Sequence, residues 1–143
     1  MDTDERLFRL DGETRVVGVM GWPIAHSMSP AMHNAVLRDL GLNGCYVPFP
    51  VRPGDVQKAI QGLVALGVRG VNVTVPHKEA VMHPLDEIAS EARAVGAVNT
   101  VVIERRGPEA VLLRGTNTDV PGFLSGLHAH GFDPRGAHAL VVG

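Results

Sequence analysis

An amide, a hydroxyl and an amine lie within the seven residues Asn72-Val-Thr-Val-Pro-His-Lys78, at the end of an apolar run. Three further segments place polar groups beside apolar runs in the same way. They contain Ser27 and Ser29, Asn99-Thr100, and Asn117-Thr118-Asp119. Polar groups at the ends of parallel strands meet at one edge of a sheet, so the four segments together predict one converging pocket.

The pair Lys78 and Asp119 has the most specific chemistry. An amine and a carboxylate that face one substrate hydroxyl can share the transfer of its proton. Each residue also has an ordinary explanation, because most lysines are solvated surface charges and Asp119 could cap the helix predicted to follow it. The catalytic hypothesis therefore depends on the two side chains lying close together.

Two serines lie in a loop rich in proline, glycine and small residues, where both hydroxyls could face a carboxylate. Ser29 precedes Pro30, which favours the start of a helix, so Ser29 is expected to cap that helix. Capping does not exclude binding, since a helix N-terminus also attracts anions. No such structural role is expected for Ser27.

Three asparagines, Asn72, Asn99 and Asn117, lie on or beside apolar strands, where an unpaired amide would be costly. Each could simply satisfy backbone groups in a turn. Together they also suit a ligand with several hydroxyl groups. Among the seven histidines, His128 and His130 lie two apart on a predicted helix and point away from each other, which is poor geometry for zinc. We therefore predict no metal.

The composition narrows the class of protein. The 143 residues fit one domain, and 13 basic against 15 acidic side chains give a net charge of −2 without blocks of either sign. Nucleic-acid and membrane roles therefore have little support. Cys45 is the one cysteine, so no disulfide can form within the chain and a cytoplasmic location is expected. No apolar run approaches the ~18 to 20 residues of a membrane span. The composition does not decide the oligomeric state, and a homodimer is possible.

Apolar periodicity predicts alternating strands and helices. Predicted strands cover residues 15–20, 46–51, 71–75, 97–103, 111–114 and 139–142. Predicted helices run from 30 to about 41, from 55 to a stop at 67, around 85–92, and from about 121 to 130. This alternation is typical of an α/β fold, and we predict a three-layer, mainly parallel β-sheet flanked by helices. The strands at 97–103 and 111–114 could form a hairpin.

The segment 133–143 is interpreted as a linker followed by a strand. Its last residue, Gly143, could open a phosphate-binding turn, but a G-x-G-x-x-G loop needs further glycines and a helix N-terminus. The 143 residues contain no such motif. A strand without its sheet neighbours would expose apolar edges, so residues 139–143 are expected to be frayed or held by another contact. We therefore expect one domain with a short stub, and no cofactor-binding residues within this chain.

Four motifs together resemble the substrate-binding domain of the shikimate dehydrogenase family. They agree with the family in order and spacing, and the resemblance runs from about Val16 to the C-terminus. The motifs are Pro23-Ile-Ala-His-Ser-Met-Ser-Pro30, Asn72-Val-Thr-Val-Pro-His-Lys78, Ala97-Val-Asn-Thr100 and Gly115-Thr-Asn-Thr-Asp119. Four separate motifs are far more specific than a single glycine-rich loop.

The resemblance implies a role for each matching side chain. The two loop serines would bind the carboxylate of shikimate, and the other residues would contact its ring hydroxyls. The implied substrate-binding residues are Ser27, Ser29, Asn72, Thr74, Lys78, Asn99 and Asp119. Lys78 and Asp119 correspond to the catalytic pair of the family, with Lys78 as the main acid/base at the reacting carbon.

The same resemblance implies an activity and a cofactor. The family interconverts 3-dehydroshikimate and shikimate with NADPH, in the pathway to aromatic amino acids, and its active site lies between this α/β domain and an NADP-binding Rossmann domain. Residues 1–132 are accordingly expected to form the shikimate-binding catalytic domain. Residues 133–143 are expected to be a linker and the first-strand stub of a missing NADP-binding Rossmann domain. The isolated chain is therefore not expected to turn over substrate.

Two alternatives to a strict shikimate dehydrogenase stay open. A quinate/shikimate dehydrogenase shares the motifs, although the presence of both Ser27 and Ser29 favours strict use of shikimate. A non-catalytic shikimate-binding module would use the same pocket. The presence of both Lys78 and Asp119 argues against such a module, because binding alone does not require a proton-transfer pair.

Overall fold

The described residues form a six-stranded mixed sheet. The computed structural model describes residues 10–107, 110–140 and 142. The strands are β1 (Arg15–Gly21), β2 (Gly44–Pro50), β3 (Gly70–Val73), β4 (Glu87–Ile88), β5 (Thr100–Arg105) and β6 (Val111–Thr116). Their order is β2-β1-β3-β5-β6-β4, and β5 runs antiparallel to both neighbours while the other pairings are parallel. The predicted mainly parallel sheet and the β5–β6 hairpin are confirmed.

Helices pack on both faces of the sheet. The helices are α1 (Ser29–Asp39), α2 (Val56–Ala65), α3 (Ser90–Val95) and α4 (Asp119–Ala129), and a 3₁₀ turn lies at Ala80–Met82. Helix α4 buries none of its residues. Alternate residues of β1 face opposite sides. Val19 packs with Tyr46 and with Leu37 of α1, whereas Met20 packs in the same cluster as Ile60 of α2. Within the described ranges, none of these helices combines the length and apolar character that crossing a membrane requires.

The second helix has the clearest local signals and is confirmed. Its residues Val56, Ile60 and Leu63 recur at helical spacing and are buried. Gly67 follows the helix in the left-handed region, with φ 76°. The Val68 N–H then donates to Leu63 O over 3.0 Å, which closes a Schellman motif.

The helix predicted around residues 85–92 is wrong, because this segment contains β4 and the short helix α3 instead. The Asp86 N–H donates to Leu113 O over 3.0 Å. The Ala89 N–H donates to Gly115 O over 2.9 Å. The N–H groups of Asp86 and Ala89 are therefore bonded to β6 and are not available for hydrogen bonds within a helix. Apolar side chains of the segment still reach the core, so their spacing fits both structures.

The strand predicted at 139–142 is not formed by the described residues of that segment. Residues 139, 140 and 142 adopt no regular structure, and 141 and 143 lie outside the described residues. Leu140 and Val142 are 88 % and 86 % exposed. Apolar character alone predicted this strand, but a strand also needs a hydrogen-bonded neighbour, and no strand of the described sheet pairs with this segment.

Candidate functional site

All four polar segments lie at one edge of the sheet. The strands β1, β2, β3, β4 and β6 run in one direction, so their carboxyl ends meet there. The strand β5 runs the other way and places its first residue, Thr100, opposite Asn72 of β3. Asn99 therefore precedes its strand and still reaches the same edge as Lys78.

The serine loop leaves β1 at Gly21 and lies against the loop that follows β3. The Trp22 N–H donates to Val75 O over 3.1 Å. A Cβ atom at Gly21 would lie 2.5 Å from Cγ2 of Thr74, so the close approach of the two loops requires glycine at this position. Among the described residues, no side-chain partner takes the Thr74 hydroxyl, which leaves it available to a ligand.

The two serines differ from their predicted roles. Met28 is the N-cap residue of α1 and no side chain makes a capping hydrogen bond there, so the prediction that Ser29 caps this helix is wrong. The helix begins at Ser29 itself, one residue before Pro30. Ser27, for which no structural role was expected, accepts a hydrogen bond from the Ser29 N–H over 3.3 Å. The Ser29 side chain interacts with the Tyr46 hydroxyl.

A buried histidine that the sequence did not single out holds the lysine loop. His77 is 1 % exposed, and its Nε2 lies 2.7 Å from Val51 O, directly after β2. The Val98 N–H donates to Lys78 O over 2.8 Å. These contacts fix the backbone at Lys78 between the end of β2 and the approach to β5. In the sequence, His77 stands out only as the neighbour of the candidate Lys78. Its hydrogen-bond partner, Val51, lies 26 residues away, so the sequence does not reveal the contact.

Lys78 and Asp119 form an ion pair. Lys78 Nζ lies 2.6 Å from Asp119 Oδ2, and the side chains are 33 % and 58 % exposed. The hydrogen bond from Lys78 lowers the pKa of Asp119; partial desolvation opposes this, while the charge of Lys78 and a hydrogen bond from Asn99 reinforce it. The stabilisation from ionised Asp119 is therefore present at neutral pH and is lost as the pH falls through the lowered pKa. Exposed ion pairs stabilise a fold little, so the pair matters more for chemistry than for folding.

Asn99 joins β5 to the start of α4. Its Oδ1 accepts hydrogen bonds from the Thr118 N–H over 3.0 Å and from the Thr100 hydroxyl over 3.0 Å. Its Nδ2 donates to Thr118 Oγ1 over 2.9 Å. Because the Thr118 N–H must donate, the atom of the Asn99 amide that faces it is the oxygen, which fixes the orientation of the amide. Asn99 also interacts with Asp119, so the amide adjoins the ion pair.

Asn72 continues the same chain of hydrogen bonds away from the ion pair. Its Nδ2 donates to Thr100 Oγ1 over 3.1 Å, and its Oδ1 accepts from the Tyr46 hydroxyl over 2.7 Å. Tyr46 is 4 % exposed and its ring stacks on His33 at 4.3 Å between centroids. A continuous series of side-chain contacts therefore links Tyr46 to Asn99.

Asn117 has a structural role that separates it from the other two asparagines. Its Oδ1 accepts from the Asp119 N–H over 3.0 Å and the Val120 N–H over 3.2 Å, at the start of α4. Its Nδ2 donates to Ala97 O over 2.9 Å. Asn117 thus serves the free N–H groups of α4. The alternative in which Asp119 caps this helix does not hold, because Asp119 is its first residue.

A cavity of about 450 Å³ opens beside the ion pair. It is lined by Lys78, Val95, Ala97, Asn117, Asp119, Val120, Phe123 and Leu124. A larger cavity of about 630 Å³ lies at the amino end of β1, around Arg15 and Arg69, and contains no predicted site residue. We place the site at the smaller cavity because the Lys78–Asp119 ion pair lines it. The other predicted substrate-binding residues lie outside its lining; they are Ser27, Ser29, Asn72, Thr74 and Asn99.

Tyr46 provides a pH-dependent test of this geometry. Burial raises the pKa of its phenol to about 12, and the interaction with Ser29 opposes the rise. The folded chain thus holds the proton more tightly than the unfolded chain, where the pKa of tyrosine is about 10. The free energy of unfolding is therefore unaffected below the unfolded pKa and falls as the pH rises from there through the folded one.

We expect ultraviolet titration of the phenolate to show this shift directly. Tyr46 is the one tyrosine of the chain, so the signal reports on it alone. The midpoint should lie near pH 12 in the folded chain and near ~10 in urea. Circular dichroism at each pH checks that the chain is folded. A midpoint near the urea value in a folded chain would contradict the burial of the phenol.

The fold and the site define a class of protein, an α/β domain with a group of polar side chains at the carboxyl ends of its parallel strands, where proteins of this architecture bind their ligands. The profile of the shikimate dehydrogenase substrate binding domain matches residues 19–101. The shikimate dehydrogenase (NADP(+)) of Geobacter sp. strain M21 is 51 % identical over 135 residues, which make up 94 % of this chain and 45 % of that protein.

Two solved structures superpose on most of this chain. Shikimate 5-dehydrogenase from Listeria monocytogenes, crystallised with shikimate and NAD, superposes with a TM-score of 0.78 at 38 % identity, over 87 % of this chain and 42 % of that chain. The ligand-free 5-ketofructose reductase of Gluconobacter sp. strain CHM43 superposes with a TM-score of 0.74 at 36 % identity, over 83 % and 41 % of the two chains.

This chain belongs to the shikimate dehydrogenase substrate-binding domain family, which confirms the resemblance found in the four motifs. The matched region contains every predicted site residue except Asp119. The chain spans less than half the length of these relatives.

Proposed function

We propose that this chain binds shikimate and 3-dehydroshikimate and supplies the acid/base residues for their NADP-dependent interconversion. The observation that carries the proposal is the 2.6 Å contact between Lys78 Nζ and Asp119 Oδ2 beside a cavity at the polar edge. The Geobacter relative is named a shikimate dehydrogenase (NADP(+)), which supports the proposed interconversion. The shikimate complex of the Listeria relative supports the ligand.

Lys78 is the proposed acid/base. When a ketone is reduced, its carbon gains a hydride and its oxygen gains a proton. Lys78, as an ammonium, donates that proton to the carbonyl oxygen, and in the reverse direction its amine accepts the hydroxyl proton. Asp119 accepts a hydrogen bond from Nζ, which holds the amine in place and directs its other protons towards the ligand.

The amides and the free hydroxyl are proposed to bind the ring. Asn99 Nδ2 donates to Thr118 and also acts on Asp119, so a ring hydroxyl would meet this amide beside the ion pair. The Thr74 hydroxyl is available at the same edge. Asn72 lies next in the chain of hydrogen bonds. An analogue that lacks a ring hydroxyl would leave such groups unpaired, so the site should reject it strongly.

The N-terminus of α1 is the proposed carboxylate site. Ser27 and Ser29 lie there, half-buried, and the first turn of this 11-residue helix contains no acidic residue. The helix dipole favours an anion at such a position. The Ser29 N–H is bonded to Ser27 and Pro30 has no N–H, so the serine hydroxyls are the main proposed donors. The two hydroxyls would add hydrogen bonds to the same carboxylate.

NADP binding is assigned outside residues 1–143. The sequence contains no G-x-G-x-x-G motif, so the residues present do not form the pyrophosphate site of a Rossmann domain. We propose that residues 1–132 form the catalytic substrate-binding domain and that 133–143 lead towards an NADP-binding domain. The greater length of the relatives supports this division. The hydride transfer is therefore assigned to no residue of this chain.

Titration of shikimate into the ¹⁵N-labelled chain tests the ligand. We expect amide shifts near Ser27, Asn99 and Asp119 with an affinity of about 1 mM, roughly 4 kcal/mol, because only part of the cleft is present. Asn43, at the opposite end of β1, is the internal reference and should not shift. Absence of shifts near the three site residues at saturating ligand would overturn the proposal.

A parallel titration with quinate distinguishes the two kinds of dehydrogenase. Tighter binding of shikimate is expected if Ser27 and Ser29 serve a strict shikimate site. Equal affinities would favour a quinate/shikimate dehydrogenase. The measurement is needed because the fold alone does not determine the substrate, as the structural similarity to 5-ketofructose reductase shows.

A further inference from the structure

Tyr46 lies behind the proposed pocket and has no part in the function described above. It belongs to the edge strand β2 and is 4 % exposed. Its hydroxyl donates to Asn72 Oδ1 over 2.7 Å, and its ring stacks on His33 of α1. Tyr46 therefore contacts both the helix proposed for the carboxylate and an amide proposed for the ring hydroxyls.

The position of the Tyr46 ring does not depend on its hydroxyl. Asn34 of α1 holds the Tyr46 backbone from both sides: its Nδ2 donates to Tyr46 O over 2.8 Å, and its Oδ1 accepts from the Tyr46 N–H over 2.8 Å. The ring also stacks on His33, with 12° between the planes. Ring packing and backbone hydrogen bonds thus hold Tyr46 in position. Its hydroxyl is not needed for that and can serve the Asn72 amide.

The Tyr46 hydroxyl completes a series of hydrogen bonds whose direction is set at Asn99. The Thr118 N–H can only donate, so it fixes Asn99 Oδ1 as an acceptor. Asn72 therefore donates Nδ2 to Thr100 and turns Oδ1 to Tyr46, whose hydroxyl supplies the donor that this oxygen needs. Thr100 Oγ1 accepts that proton and turns its own proton to Asn99 Oδ1. Without the phenol, the Asn72 amide could rotate and accept the Thr100 proton itself, and Asn99 would lose one of its donors.

We propose that Tyr46 is a positioning residue for the substrate pocket: its hydroxyl supplies the donor for Asn72 Oδ1, keeps Asn72 Nδ2 on Thr100, and so leaves the Thr100 proton on Asn99. This inference rests on the proposed ligand-binding function. A tyrosine that only filled the core would leave the amides unaffected when its hydroxyl is removed. The two roles therefore differ in a signal that can be measured at Asn99.

Tyr46→Phe in the 143-residue chain removes the hydroxyl and keeps the ring. We expect shikimate affinity to fall by about threefold to tenfold, the effect of one hydrogen bond, with little change in the melting temperature. The side-chain carbonyl-carbon signals of Asn72 and Asn99 should also shift without ligand. In an Asn72→Ala background, the same substitution should cause no further loss of affinity, since the two residues act in series.

Thr14→Val is the matched control. Thr14 Oγ1 donates to Asn43 Oδ1 over 2.8 Å before β1, at the end of the sheet away from the site. This variant loses that hydrogen bond and the two contacts of Thr14 Oγ1 with Asp11, and it should alter neither affinity nor the Asn99 signal. A folded Tyr46→Phe variant with unchanged affinity and an unchanged Asn99 signal would overturn the inference.

Two further outcomes are decisive. If the unaltered chain does not bind shikimate, the proposed ligand is wrong, and the ligand-free Asn99 signal alone decides the role of Tyr46. If Tyr46→Phe does not fold, 3-fluorotyrosine can be incorporated at the one tyrosine of the chain. Fluorine makes the phenol a stronger donor, so the Asn72 and Asn99 signals should move; unmoved signals would refute the proposed role.

Discussion

Lys78→Met is expected to lower the rate of shikimate oxidation by about 100-fold to 10,000-fold, the range for loss of a general acid/base. The measurement requires the chain in a form joined to an NADP-binding domain. Methionine retains most of the length of the side chain and removes the amine that Asp119 orients. We therefore expect kcat to fall by a much larger factor than KM changes.

Lys58→Met is the matched control for that measurement. Lys58 lies on α2, is 83 % exposed, and forms a 3.5 Å ion pair with Asp55. Surface substitutions of this kind change free energies by about 0.5 kcal/mol or less, so the rate should stay within about twofold. A rate in Lys78→Met equal to that of the control would remove Lys78 from the reaction and leave a non-catalytic binding module as the better explanation.

Asn99→Leu is expected to weaken shikimate binding by about 30-fold to 100-fold and to reduce stability by about 1 to 3 kcal/mol. Asn99 is 8 % exposed. Its loss removes the acceptor of the Thr118 N–H and of the Thr100 hydroxyl. Leucine has the branching of asparagine and the same number of side-chain heavy atoms, so the substitution leaves no cavity. The loss would come from unpaired polar groups and from packing the larger methyl groups.

Calorimetric titration and thermal unfolding of the Asn99→Leu variant measure both effects. Asn43→Leu provides the comparison, since Asn43 is exposed and makes its side-chain hydrogen bonds to Thr14 and Asp11 at the far end of the sheet. That variant should bind shikimate normally. Native affinity in Asn99→Leu would exclude the amide from the pocket, even if stability fell as expected.

Local sequence signals predicted most of the fold. Strand β1 and helix α2 follow from an apolar run and from helical spacing with a glycine stop, because each signal lies within its own segment. The 85–92 segment was predicted wrongly, since apolar spacing cannot show that Asp86 and Ala89 hydrogen-bond to β6. Pairing between distant segments decided that structure.

The candidate site likewise contains residues that the sequence could reveal and residues that it could not. Lys78 and Asp119 could be chosen from residue type and motif, although they lie 41 residues apart. The roles of Ser27 and Ser29 were not predictable, because they depend on where α1 begins. His77 and Tyr46 gave little signal, since their partners, Val51 O and the Asn72 amide, come from other strands.

The β5–β6 hairpin also shows where the protein can tolerate added sequence. Because the first residue of β5 lies at the polar edge, its last residue, Arg105, and the first residue of β6, Val111, lie at the opposite edge. Arg105 Nη2 donates to Val64 O over 2.7 Å, which secures the end of that strand. An epitope tag or fluorophore attached between these two strands would thus be remote from Lys78, and a labelled chain could report on ligand binding without obstructing it.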